Sequence, residues 1–398
     1  MWVVTLAIPV EQANIAPSGR VQATETDARL SLYFDLSRSK ILRVNLVLRL
    51  VLGLLIYSGA VFPAAAFTSL HIFGDAASTT TNGPGGATYY GRSYSNGRVW
   101  VELLAQRQGL NYVSNQNWSF FGHYHFNLVT NSSNYTPPPD VSTALYVVWI
   151  NNADFVWNIN NYATNLVTWT NSMNQSLSNH SLIIQTLYNK GVRTLIMPNV
   201  ADLGKIPQYA SYNAPSKAFI RQRTMEYNTA FAARLQQART NFANLTIYSA
   251  DIFALLDDVV AHASNYGLTN ALYLGQSVSA LDDPTFANKA LNGPGTNHIF
   301  WDYLDPSAKF HTVIADHVLQ AAFPVRLSNI VPAGANQQLV IANTPIGRAG
   351  VVESSTNFVN WATAQTFPST NLTQTVSVPA TASQEFYRLR FPFSWTWP

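Results

Sequence analysis

The chain has 398 residues, of which 47% are hydrophobic, no cysteine, and 23 basic against 20 acidic side chains for a net charge of +3. Length and apolar content allow two domains, or one large domain with an appendage, and exclude wholesale disorder. The missing cysteines exclude disulfides, thiolate metal sites and cysteine nucleophiles, and a charged fraction of 11% with no concentrated basic surplus argues against a nucleic-acid partner.

The first marked feature along the chain is a leader. Arg38, Lys40, Arg43 and Arg49 precede an uncharged apolar run from Leu50 to Phe62, after which Pro63 and Ala64 to Ala66 offer a break and small residues. This is the pattern of a secretory signal peptide, expected over 43–66 with cleavage near Ala66, because the run is short for a span of about 20 residues. It predicts a secreted or periplasmic protein that meets a membrane only through an uncleaved leader. Residues 1–42 show no clear periodicity and read as an extension, either an over-long gene start or a genuine pro-segment.

Apolar, β-rich runs then recur at Ser69–Phe73, Ala144–Ile150, Val192–Val200 and Leu245–Ala250. Helix-like stretches separate them: Arg98–Gln108, Trp157–Asn189 in pieces, Ser216–Asn241 and Ile252–Ala263. Continuous apolar strands alternating with helices predict a parallel sheet covered on both faces. In such sheets a site lies beyond the carboxyl ends of the strands, which singles out Gly74–Ala76, Asn151–Phe155 and Ala201–Leu203. After about Phe323 the helical period gives way to short alternating stretches such as QQLVIAN and EFYRLRFP. They predict a small β-sandwich over 324–398, whose Pro- and Trp-rich end finishes a last strand or frays.

Four blocks carry a resemblance. FGDAASTTTNGPGG (Phe73–Gly86), YSNGRVWVELLA (Tyr94–Ala105), WINNADF (Trp149–Phe155) and FWDYLDPSAKFH (Phe300–His311) resemble, in order, the motif blocks of the SGNH/GDSL hydrolases. The resemblance covers about Ser69 to Leu319 and implies a three-layer α/β/α flavodoxin-like fold over 67–323. It also implies ester hydrolysis by a serine, a histidine oriented by an Asp three residues earlier, and an oxyanion site built from the serine amide, a glycine and an asparagine.

The family's positions map here onto residues that have mostly changed. The nucleophile position is Ala76, the oxyanion asparagine Ala153 (with Asn151 in place of the glycine two before it), and the base Asp305. Gly97, at the block-two glycine, and Asp302, the orienting acid, are retained. A methyl cannot attack a carbonyl, and a carboxylate does not shuttle protons as imidazole does. The expectation is a secreted copy that has lost catalysis and binds an ester, acylated carbohydrate or lipid. An active hydrolase using non-standard residues is the alternative, and a main role for the C-terminal module is a third. The motifs call for no cofactor, and composition leaves the oligomeric state open.

Bland roles compete at several positions. Ser78 is expected to cap the turn after the first strand, and His311 to be a packing or surface residue. Asp305 is expected to cap the next helix, with Pro306 at its first position; convergence of Asp75, Asp302 and Asp305 on a hard cation is the alternative. His123 and His125 alternate as on a strand and could hold a metal or lie in a loop, while Trp118, Phe120, Phe121, Tyr124 and Phe126 are candidates to fill the emptied pocket.

Overall fold

The computed structural model describes residues 2–6 and 67–398. The predicted leader and nearly all of the extension ahead of it lie outside the described residues. Five of those residues form β1 (Trp2–Leu6), which pairs antiparallel with the last strand of the chain.

The larger domain is built on β2 (Leu70–Gly74), β3 (Leu145–Trp149), β4 (Thr194–Ile196) and β5 (Thr246–Tyr248), all parallel and in that spatial order. Every residue of β2 and β3 is buried, as expected of strands covered on both faces. The sheet continues past the outer edge of β2. Trp118 N–H donates to Ile72 O (2.8 Å) and Phe120 N–H to Gly74 O (3.2 Å), with Asn117 in a parallel bridge to Ile72. A segment later in the chain thus flanks β2 on one side and β3 flanks it on the other. That is the flavodoxin-like order, whose switch point lies at the carboxyl ends of β2 and β3.

The helices are α1 (Trp100–Arg107), α2 (His125–Asn134), α3 (Asn151–Tyr162), α4 (Leu166–Asn189), α5 (Ala214–Asn241), α6 (Ile252–Ala261) and α7 (Ala308–Ala322). They pack in two groups, α1 with α7 and α6, and α2 with α4 and α5, giving the three-layer α/β/α arrangement. The predicted helical stretch Trp157–Asn189 is two helices, broken where Ala163 takes a φ of 45°. None of the helices among the described residues is long and apolar enough to cross a membrane.

After α7 the chain forms β8 (Arg326–Ala333), β9 (Asn336–Ala342), β10 (Ala349–Ser355), β11 (Ala362–Pro368), β12 (Thr373–Pro379) and β13 (Phe386–Phe391), the short hairpin β6 (Leu272–Tyr273) and β7 (Gln276–Ser277) having come before. Sheets β12-β9-β8 and β1-β13-β10-β11 face each other across Leu339, Ile341, Val378, Val352 and Leu389, which is the expected β-sandwich. Its end does not fray: Phe393 packs against the larger core, and the Trp397 indole donates to Asn96 O (2.8 Å). Asp316 of α7 ties the two domains, paired with Arg107 at 3.3 Å and with Arg348 at 2.9 Å.

Candidate functional site

Beyond Gly74 the chain makes one tight turn, Ala76–Ser78, and Asp75 caps it by accepting the Ala77 N–H at 3.1 Å. Ser78, expected to be the cap, is instead buried beneath the turn, where it accepts the Trp100 indole N–H (3.0 Å). Ala153 lies in the first turn of α3, directly beyond β3, and its N–H bonds Ile150 O (3.0 Å) and also reaches the Asp75 carboxyl. Asn151 donates to Pro198 O (3.1 Å) and leaves its carbonyl oxygen buried without a partner. Asp305 lies just before α7. The helix cap, however, is Ser307, which accepts the Phe310 N–H (3.2 Å), so the expected capping role of Asp305 does not hold.

These positions meet around a cavity of about 280 Å³. Ala76, Ala153 and Asp305 line it together with Asp75, and its deeper wall is apolar, including Leu203, Ile206, Leu256, Phe310 and Ile314. Asp302 stands behind it and holds the turn, accepting the N–H groups of Leu304 (2.9 Å) and Asp305 (2.8 Å) and the Tyr89 hydroxyl (3.1 Å).

Gly97 is not brought to the cavity. A Cβ there would lie 2.7 Å from that of Ala308, so this glycine allows close packing between the start of α1 and α7. The glycine that lines the cavity is Gly122, at φ 78° with open space where a Cβ would stand. It is the one glycine between Gly109 and Gly191, in the stretch after the sheet-edge segment; that isolation was the available signal.

The aromatic segment leaves the cavity open. Phe121 and Tyr124 contribute to its rim, while Phe120 and Phe126 point substantially into solvent. His123 and His125 do not share a strand face: His123 stacks on Phe120, and His125 opens α2 and bonds Asp154 through its N–H (2.9 Å) and Nδ1 (3.0 Å). Two other histidine–carboxylate pairs, His298–Asp283 and His262–Asp258, also lie outside the cavity wall. His311 is fully buried with neither ring nitrogen partnered, and burial pushes its pKa down to about 3, so it stays neutral. Among the described residues no group of three or more His, Asp or Glu is placed to hold a metal ion, which leaves the three-aspartate and two-histidine cation alternatives without support.

The electrostatics around these aspartates are one-sided. Burial, with a contribution from Asp154, raises the Asp75 pKa to about 7 despite its backbone hydrogen bonds. Burial and then the charges of Asp302 and Asp75 hold the Asp305 carboxyl well above the usual range. Asp302 is raised by burial as well, opposed by the two amides it accepts.

A doubly wound sheet with a cavity at its switch point defines an α/β protein whose candidate site lies beyond the strand ends. The sequence model described as GDSL-like Lipase/Acylhydrolase matches residues 70–318, well over half of the chain, and the protein belongs to that family. Among curated proteins it is similar to two GDSL esterase/lipases of Arabidopsis thaliana. One is 20% identical over 48% of this chain and 52% of its own length; the other is 20% identical over 59% and 69%. The chain therefore spans about half of the first relative. Solved structures similar to it include the lipase Lip_vut3 from a goat rumen metagenome, with a TM-score of 0.40 and 10% identity over 64% of this chain and 97% of that one. A catalytic mutant of the acetylxylan esterase Axe2 from Geobacillus stearothermophilus aligns with a TM-score of 0.37 and 14% identity over 65% and 95%.

Proposed function

We propose that this member of the family no longer hydrolyses esters and uses the retained cavity to bind an apolar or acylated ligand. One observation carries the reading: among the described residues, the wall of the cavity holds no serine, threonine, histidine or lysine. Its ionisable groups are the carboxyls of Asp75 and Asp305 and the phenols of Tyr124 and Tyr303. Without a serine or threonine nucleophile and an imidazole base the family's acyl-enzyme does not form, and loss of a single oxyanion donor already costs about 2.7–4 kcal/mol of transition-state stabilisation. Export through the predicted leader belongs to this proposal, and N-terminal sequencing of the mature protein checks it.

A second reading, hydrolysis by directly activated water, draws on Asp75, whose pKa near 7 suits a general base. Turnover of a short-chain p-nitrophenyl ester by purified protein separates the two. The proposal predicts a rate no higher than that of the heat-denatured protein. Turnover that is lost in Asp75→Asn would overturn it in favour of the second reading.

A further inference from the structure

Asp305 is 4% exposed, lines the cavity, and receives no hydrogen bond at its carboxyl from the described residues. The charges acting on it are both acidic, Asp302 on the preceding turn and Asp75 beyond β2. The other titratable groups of this corner are Tyr89, Tyr94, Tyr124 and Tyr303, whose phenols are all raised by burial, with Asp154 acting on Asp75 and Asp282 on Asp302. Arg92, on the exposed loop, acts on Tyr94. No Lys, Arg or His belongs to the cavity wall among the described residues. A buried acidic pair without a counter-charge therefore lines a largely apolar pocket, and burial of such groups is costly unless something pairs with them.

Resting on the non-hydrolytic reading above, we propose that the cavity takes an alkylammonium ligand. The cationic amine sits against the Asp75 and Asp305 carboxyls, and the hydrocarbon tail runs along Leu203, Ile206, Leu256, Phe310 and Ile314. An ammonium group has three donors and no acceptor, so one head satisfies two carboxyls. Hydrogen bonds to charged groups are the stronger kind, and the tail gains from burial of apolar surface. In the empty site burial and the neighbouring acids favour the protonated form of Asp305. The bound cation favours the ionised carboxyl, so the neutral acid and the ammonium combine to an ammonium–carboxylate pair with one proton released to solvent. The same field disfavours a fatty carboxylate, which would add a negative charge beside Asp75. This specificity is opposite to retention of an ester-hydrolysis product.

Isothermal titration of the full chain at pH 7.5 with n-octylammonium chloride, n-octanol and sodium octanoate tests this, in phosphate and in Tris. Octylammonium should bind at least about tenfold more tightly than octanol, with octanoate weakest. Its apparent enthalpy should differ between the buffers in proportion to protons released. Asp305→Asn should bring octylammonium and octanol to within about threefold of each other. If that variant does not fold, the wild-type ranking and buffer dependence decide. Equal binding of octanol, preference for octanoate, or a buffer-independent enthalpy would overturn the proposal. Ester turnover measured on the same preparation keeps the two claims separate, since a silent protein without amine preference refutes this inference alone.

Discussion

At the junction of the two domains Asp316 is paired with two arginines, whereas in the cavity wall the charges acting on Asp305 are those of other carboxyls. Both aspartates are buried and both belong to the region around α7. Asp154, beneath the sheet ends, resembles Asp316: it accepts from the His125 N–H and ring and from the Ser176 hydroxyl (2.7 Å). The contrast separates acids that hold the fold from acids that the fold tolerates. A paired carboxylate organises the donors around it, and its removal strands them. An unpaired one weakens the folded state whenever it ionises, and the proposed amine would supply the partner that Asp305 lacks.

Breaking the paired side should have the larger effect. Asp316→Ala leaves Arg107 and Arg348 buried without their shared counter-ion and should cost about 3–5 kcal/mol, read as a loss of thermal stability. A loss under about 1 kcal/mol would erase the distinction between the two regions.

The unpaired side should show itself in pH dependence. Folding raises the Asp75 pKa from an ordinary value near 4 to about 7. Such a group stabilises the fold fully below its unfolded pKa, and this stabilisation is lost as pH rises toward the folded value. Stability should fall between pH 4 and pH 7 by up to about 1.4 kcal/mol per pH unit from this group. Asp283, pulled down to about 2 with Thr285 and His298 as partners, acts in the opposite sense and only at lower pH. Asp75→Asn retains an acceptor for the Ala77 N–H, so denaturation midpoints at pH 4.5 and 7 should lie closer together in the variant. An unchanged difference would remove Asp75 as its source.

The parts of this architecture that repeat a simple pattern were legible in the sequence. Strands β2 and β3 are buried runs that are apolar apart from His71, and three of the four blocks put Ala76, Ala153 and Asp305 at one cavity. The sheet-edge segment 117–120 was not legible, because it is short, its polar residues Asn117 and Ser119 are the buried ones, and it is tied to β2 by main-chain bonds. The packing of Gly97 against Ala308 was not legible either, because it depends on how α1 meets α7. Asp305 and Ser307 both suit a helix cap, and only the tertiary fold decides that the serine takes it while the aspartate faces the cavity. His125 reads as one of an alternating pair until the partner, Asp154, arrives from α3.

The central claim is that scaffold and cavity persist while hydroxyl and imidazole have gone, and a fluorophosphonate serine probe tests it most directly. Wild-type protein should remain unlabelled, while the combined variant Ala76→Ser, Ala153→Asn, Asp305→His, whose three positions share the cavity wall, should label and gain measurable esterase activity. Stoichiometric labelling of the wild-type chain would contradict the account, because it would demonstrate an activated serine that the cavity does not contain.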